Sequence, residues 1–209
     1  MKRLFDPDSP IMRFLADLAD LVLLNLFWIL CSLPILTAGA ATAALYRCTL
    51  NMVQAENHWN ARTFFAAFRE NFLKATGLWL ILLAALALLA ADGWLFWQNG
   101  LLLRLWGLIP FLGGLVWLFA QALAFALTAQ FENTVGKTLA NAVILSFSHP
   151  LRALAMCLLE LLPLILFLLS PAAFARVAIC WVLFGFSLTA YANTLLLRPI
   201  FAPYMTAGQ

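Results

Sequence analysis

Charge is what this sequence has least of. Asp, Glu, Lys and Arg make up 10% of its 209 residues, against roughly 25% in a soluble globular domain. A chain this poor in charge cannot clothe a folded core in a hydrated surface, which excludes an ordinary water-soluble domain. The net charge of +3 is small and scattered, so it offers no phosphate-binding face and argues against nucleic acid as a partner. Histidine is nearly missing: His58 and His149 each stand alone, without a cysteine at ligand spacing. Cys31, Cys48, Cys157 and Cys180 form no CxxC pair and lie in or beside apolar runs, where a free thiol behaves as a small hydrophobe. No metal or cofactor is indicated. HExxH, GxSxG, paired aspartates and a glycine-rich phosphate loop are all missing, so no enzymatic activity is expected.

What the chain has instead is hydrocarbon. Hydrophobic residues make up 65% of it, mean hydropathy is +0.97, and there are 18 Phe and 8 Trp. Several apolar runs reach the roughly 20 residues that cross a bilayer, which predicts a polytopic, all-α membrane helix bundle forming a single domain over residues 1–209. The lead-in MKRLFDPDSPIMR is polar, and Asp8 or Ser9 is placed to cap the first helix. A first span is expected over Phe14–Ile35, turning near Pro34–Gly39. Ala38-Gly39-Ala40 has the form of a signal-peptidase site, but the segment before Leu21 carries three basic and four acidic residues. A secretory leader needs a basic start, so retention of this span is expected.

Residues 38–54 form a mixed helix that reads as a short second span. AENHWNARTFFAAFRENFLKATG places Phe64, Phe65, Phe68 and Phe72 on one face, the pattern of a helix lying in the membrane interface. Further spans are expected at Leu78–Trp97, Leu105–Phe131, Leu151–Leu169 and Val177–Leu197, with a turn at Gln98-Asn99-Gly100 and a corner at Ser170-Pro171. ENTVGKTLANAVILSFSHP is a second mixed helix, and the tail RPIFAPYMTAGQ reads as broken by its prolines. If residues 38–54 cross, Lys2, Arg3, Arg13, Arg62, Arg69, Lys74, Lys137, Arg152 and Arg198 share one side. Only Arg104 and Arg176 then lie opposite, so the positive-inside rule favours about six helices with both termini cytoplasmic. Leu73-Lys74-Ala75 and Leu151-Arg152-Ala153 open two of the spans alike, a faint internal repeat over 59–98 and 136–197 of the sort found in transporters.

Polar residues inside spans carry most of the functional information, because each needs a partner. Arg13, Asp17, Asp20, Asn25, Trp28 and Ser32 share one helical face, which should look at protein. Arg13 and Asp17 are spaced to pair. Arg47 should lie at about the depth of Asn25, and Glu160, roughly 12 Å into its span, at a similar level. Asp17, Asp20, Asn25, Arg47 and Glu160 are therefore the candidate intramembrane cluster, with Arg47 the expected partner of Glu160. Two readings stay open: a structural ion pair that fixes register, or a mid-membrane site for an ion or solute. Asp92, Arg104 and Arg176 lie near span ends, where snorkelling or mutual pairing suffices.

LADLADLVLLNLFWILCSLPILTAGAATAALYR, then FFAAFRENFLKATGLWL, then NTLLLRPIF resemble, in that order, the YesL family of bacterial integral membrane proteins. The opening block is the most specific: LADL, Leu-Asn-Leu, Cys-Ser-Leu-Pro and the Thr-x-Gly-Ala turn. Between about 85 and 190 only hydrophobic character matches, and Arg47 and Glu160 are not carried over. The resemblance implies a bacterial cytoplasmic (inner) membrane protein without an established activity, whose relatives are encoded beside sugar ABC transporters. It thus implies an accessory role in carbohydrate uptake, with permease or ATPase subunits as partners beside the lipid bilayer. The rival reading is a transporter or channel acting as a homo-oligomer. A third takes NTVGKTLANAVILSFSHPLRA as a coupling helix that contacts an ATPase.

Overall fold

The computed structural model describes residues 10–54, 61–98 and 108–206, and these are helical almost throughout, with no strand among them. Helix α1 (Pro10–Ser32) ends in a single 3-10 turn at Ile35–Thr37, and α2 (Ala38–Gln54) follows directly. Pro34 cannot donate to the preceding turn, which ends α1. Thr37 then donates its hydroxyl to the carbonyls of Cys31 (2.6 Å) and Pro34 (2.9 Å), satisfying acceptors that the helix end leaves open.

Next come α3 (Ala61–Gln98), α4 (Leu108–Gln130), α5 (Val135–Ser148), α6 (Pro150–Leu169) and α7 (Pro171–Cys180). A π-helical segment, Trp181–Gly185, joins α7 to α8 (Phe186–Thr206). Pro150 and Pro171 open their helices, where a missing N–H is harmless. Ser170 also caps α7 by accepting from the Ala173 N–H at 3.2 Å.

Five stretches among the described residues are long and apolar enough to cross a membrane: Leu15–Ser32, Ala61–Leu95, Ile109–Gln130, Pro150–Leu169 and Pro171–Tyr204. The molecule is an all-α polytopic helix bundle. Large apolar side chains such as Leu73, Leu88, Leu151, Leu168 and Ile179 face outward, as a lipid environment requires.

Helix α2 has 17 residues, about 25 Å at 1.5 Å per residue, and falls short of the other five. It is nonetheless the most enclosed helix, packing against α1, α3, α4 and α8. Its Ala-rich first turns allow this: a Cβ on Gly39 would lie 2.5 Å from the Ala75 carbonyl oxygen and 2.5 Å from Trp79 Cβ. Ala40, Ala43 and Ala75 continue the contact. Small residues every fourth position let two backbones meet.

Three elements differ from the sequence expectation, one being the last span, expected from Val177 but helical from Pro171, with a π segment at Trp181–Gly185. The Phe-rich amphipathic stretch is no separate interfacial helix; it is the first part of α3, which runs unbroken for 38 residues. Gly77 has open space around it and no proline intervenes, so nothing ends the helix at the polar–apolar boundary. The tail also stays helical, through Pro199 and Pro203 to Thr206. Ile200 and Phe201 are buried beneath the prolines, and the Phe201 ring meets Phe131 edge-on at 5.3 Å. That packing offsets the lost backbone bonds. The turn at Gln98-Asn99-Gly100 extends beyond Gln98 outside the described residues, as do Asp8, Ser9, His58 and Arg104.

Candidate functional site

Asn25 is fully buried on α1 and faces the π segment. Its Nδ2 donates to the Val182 carbonyl at 2.6 Å, and its Oδ1 accepts from the Ser187 N–H at 2.9 Å. Residues 182 and 187 are five apart, the pair whose mutual bond would close a π turn. The asparagine amide thus bridges two backbone groups of the last helix at the end of its π segment, tying α1 to that helix through two interhelical bonds. Ser187 reinforces the seam by donating its hydroxyl to the Leu21 carbonyl at 2.7 Å.

One turn further along α1, Trp28 stacks on Phe186 with centroids 4.2 Å apart. Its indole N–H donates to Thr42 Oγ1 at 3.0 Å. From there α2 runs to Tyr46 and Thr49, which face α8. The Thr49 and Thr194 hydroxyls share a bond of 2.9 Å, and the Asn193 Nδ2 donates to the Tyr46 oxygen at 3.0 Å.

Glu160, in the middle of α6, meets this seam. Its Oε1 accepts from Asn193 Nδ2 at 3.1 Å and from the Tyr46 hydroxyl at a longer 3.4 Å. Its Oε2 is inaccessible to solvent and has no hydrogen-bond partner among the described residues. Gln121 approaches the carboxyl without a bond of acceptable geometry. Asn193 Oδ1 and Trp181 Nε1 are likewise buried without partners. Each such atom costs about 1–3 kcal/mol in a protein interior, and their clustering marks a site whose hydrogen bonding is incomplete.

Beside these atoms lies a cavity of about 330 Å³, within the size range of small-molecule sites. Glu160, Gln121, Trp28, Trp79, Trp181 and Phe186 are among the side chains that line it, with Tyr46, Phe125 and Thr189 between them. Among the described residues that line it there is no Lys, Arg or His. Pro163, one turn after Glu160, also borders it and leaves the Leu159 carbonyl without its helical donor. The Trp79 indole is fixed from the turn before α2, donating to the Ile35 carbonyl at 2.8 Å.

The structure separates the residues that the sequence grouped. Arg47 does not pair with Glu160: it is exposed and donates to the Ala129 carbonyl at 3.0 Å, at the C-terminal end of α4. Successive helical residues point about 100° apart, so with Tyr46 turned toward α6 its neighbour turns away. Basic groups are favoured where the last carbonyls of a helix are unpaired. Asn25 is engaged with the π segment, not with the carboxylate. Asp17 is exposed and Asp20 half-buried near the start of α1. The Arg13 side chain lies outside the described residues, and the expected Arg13–Asp17 pair with it. Asp92, in the last two turns of α3, and Arg176, in the middle of α7, are exposed.

Tyr46, Gln121, Trp181 and Asn193 were missed. Asn193 and Gln121 carried a signal, each being a primary amide within an apolar run; the tryptophans carried none, because lipid-facing and cavity-facing indoles look alike in sequence. No group of three or more metal-ligating side chains occurs among the described residues.

Residues 21–93 match a family described as a protein of unknown function, DUF624, a segment that covers the rest of α1 after Asp20, all of α2 and most of α3. No curated protein and no solved structure matches the chain.

Proposed function

We propose that this protein is a non-enzymatic integral membrane protein that binds a small solute in the Glu160 cavity, within the membrane-embedded bundle. The observation that carries the reading is the pairing of a cavity of about 330 Å³ with a carboxylate that lacks a counter-charge. A residue kept only to lock register would be fully paired, as Asn25 is. Intramembrane ionisable groups facing a cavity mark solute pathways, and uptake or export through the bundle follows as its activity. In an assembly, several copies of the chain would act together.

The reading is tested by a thermal-unfolding screen of the purified chain against monosaccharides, amino acids and organic cations. At least one class should raise the midpoint in a concentration-dependent way. Thr189→Phe, which fills the cavity from α8, should abolish the shift. If no class shifts the midpoint, or the Thr189→Phe protein responds like the parent, the cavity is not a solute site.

A second reading is favoured by the resemblance of the opening block to the YesL family. There the protein sits in the bacterial cytoplasmic membrane, termini inward, and assists a carbohydrate ABC transporter. The separate helix α5, with Lys137, Asn141, Ile144 and Phe147 exposed, is the element suited to touch an ATPase. Copurification of a permease or ATPase subunit after mild crosslinking supports this reading, and recovery of the chain alone removes it.

A further inference from the structure

The lining of the Glu160 cavity also selects among solutes. We propose that it takes an organic cation, an aromatic or alkyl ammonium ion seated among the aromatic side chains that line it, with Glu160 as its counter-ion. This rests on the cavity being a solute site and names the class that it admits.

Three features of the lining point to it. Trp28, Trp79 and Trp181 border the space together with Tyr46, Phe125 and Phe186, and the face of an aromatic ring, indole above all, attracts a cation. Among the described residues the lining holds one carboxyl group and no basic side chain. Glu160 itself is bonded only through Oε1, to Asn193 and Tyr46, and these donors carry no full charge.

The third feature is how little hydrogen bonding remains. Thr42 accepts from Trp28 and donates to the Ala38 carbonyl, and Thr189 donates to the Gly185 carbonyl. Tyr46 already bonds Asn193 and Glu160. Beyond the carboxylate, the described lining has left Gln121, the unpartnered Trp181 N–H and the acceptor capacity of the Thr189 hydroxyl oxygen. A sugar would have to bury several hydroxyls against this wall with few partners, each unpaired group weighing against binding. A cation needs a single counter-charge and aromatic surface, both of which are present.

The test uses the full chain in nanodiscs, with binding of 1-methyl-4-phenylpyridinium, its neutral analogue 4-phenylpyridine N-oxide, and D-glucose followed by tryptophan fluorescence. The pyridinium ion should bind at least roughly tenfold more tightly than the N-oxide, about 1.4 kcal/mol. Glu160→Gln should bring the two together, and Thr189→Phe should remove both. The comparison of the two analogues on the unaltered chain holds even if the Glu160→Gln protein fails to fold. Equal affinity for cation and neutral analogue overturns the cation assignment and leaves the solute site standing, as does binding of glucose alone. Absence of binding by all three also overturns it; the solute site itself then stands or falls by the thermal screen.

Discussion

An asparagine amide donates at one end and accepts at the other, which lets Asn25 bridge a backbone carbonyl and a backbone N–H five residues apart. Leucine at this position would leave both groups to find each other or go unpaired. Interhelical bonds within membranes average about 0.6 kcal/mol, with more lost when a partner is stranded. Asn25→Leu should therefore destabilise the chain by about 1.5 kcal/mol in thermal or chemical unfolding. Arg47 and Glu160 share no partner, so the effects of Arg47→Met and Glu160→Gln should add within about 0.5 kcal/mol. A coupling well above that in a double-mutant cycle would restore the ion pair. The sequence disclosed that Asn25 and Glu160 must face protein, because burial in hydrocarbon is too unfavourable otherwise. It did not disclose their partners, since a shift of one residue turns a helical side chain by 100°.

At the scale of elements, close approach and a register fault shape the bundle. Gly39→Val forces atoms into the space held by Ala75 and Trp79, and should destabilise by about 3 kcal/mol. Gly77→Ala meets nothing within 4 Å and should be neutral or stabilising by up to about 1 kcal/mol. Unfolding of the two variants side by side checks both. The π segment amounts to one inserted residue. Deleting Leu183 should return the segment to α-helix and keep the flanking faces in place. Asn25 then loses its two backbone partners, and the penalty of Asn25→Leu should fall below about 0.5 kcal/mol in the deletion background. Helices, their order and the Pro34–Gly39 turn were legible, because apolar runs and prolines write them directly. The π segment was not, since its five residues, WVLFG, read as any apolar run. The continuity of α3 was obscured by its composition, which changes from amphipathic to apolar without any helix-breaking residue at the boundary.

Over the described residues, the long apolar helices α1, α3, α4 and α8 pack round the shorter α2, which carries the buried Tyr46 toward α6. If α2 crosses, the positive-inside rule places most of the basic residues on one side, and the proposed topology then predicts that a reporter enzyme fused to the C-terminus is active only in the cytoplasm. Activity in the periplasm would show that α2 re-emerges on its side of entry. Two groups of buried polar side chains link the α1, α2 and α6 helices to the last one, apart from those on α4 and α5 and the unpartnered Ser32 and Thr76 hydroxyls. One is satisfied, where Asn25 and Ser187 tie α1 to the last helix; the other is incomplete, where Glu160 borders the cavity. A solute site requires that the second group be reachable from outside the bundle. The most direct measurement is labelling of Thr189→Cys in native membranes by a small charged methanethiosulfonate, against Thr49→Cys, whose position is buried beside Thr194. Rapid modification at 189, well above the parent chain, with none at 49 is the predicted result. No modification at 189 would contradict a solute site in this cavity.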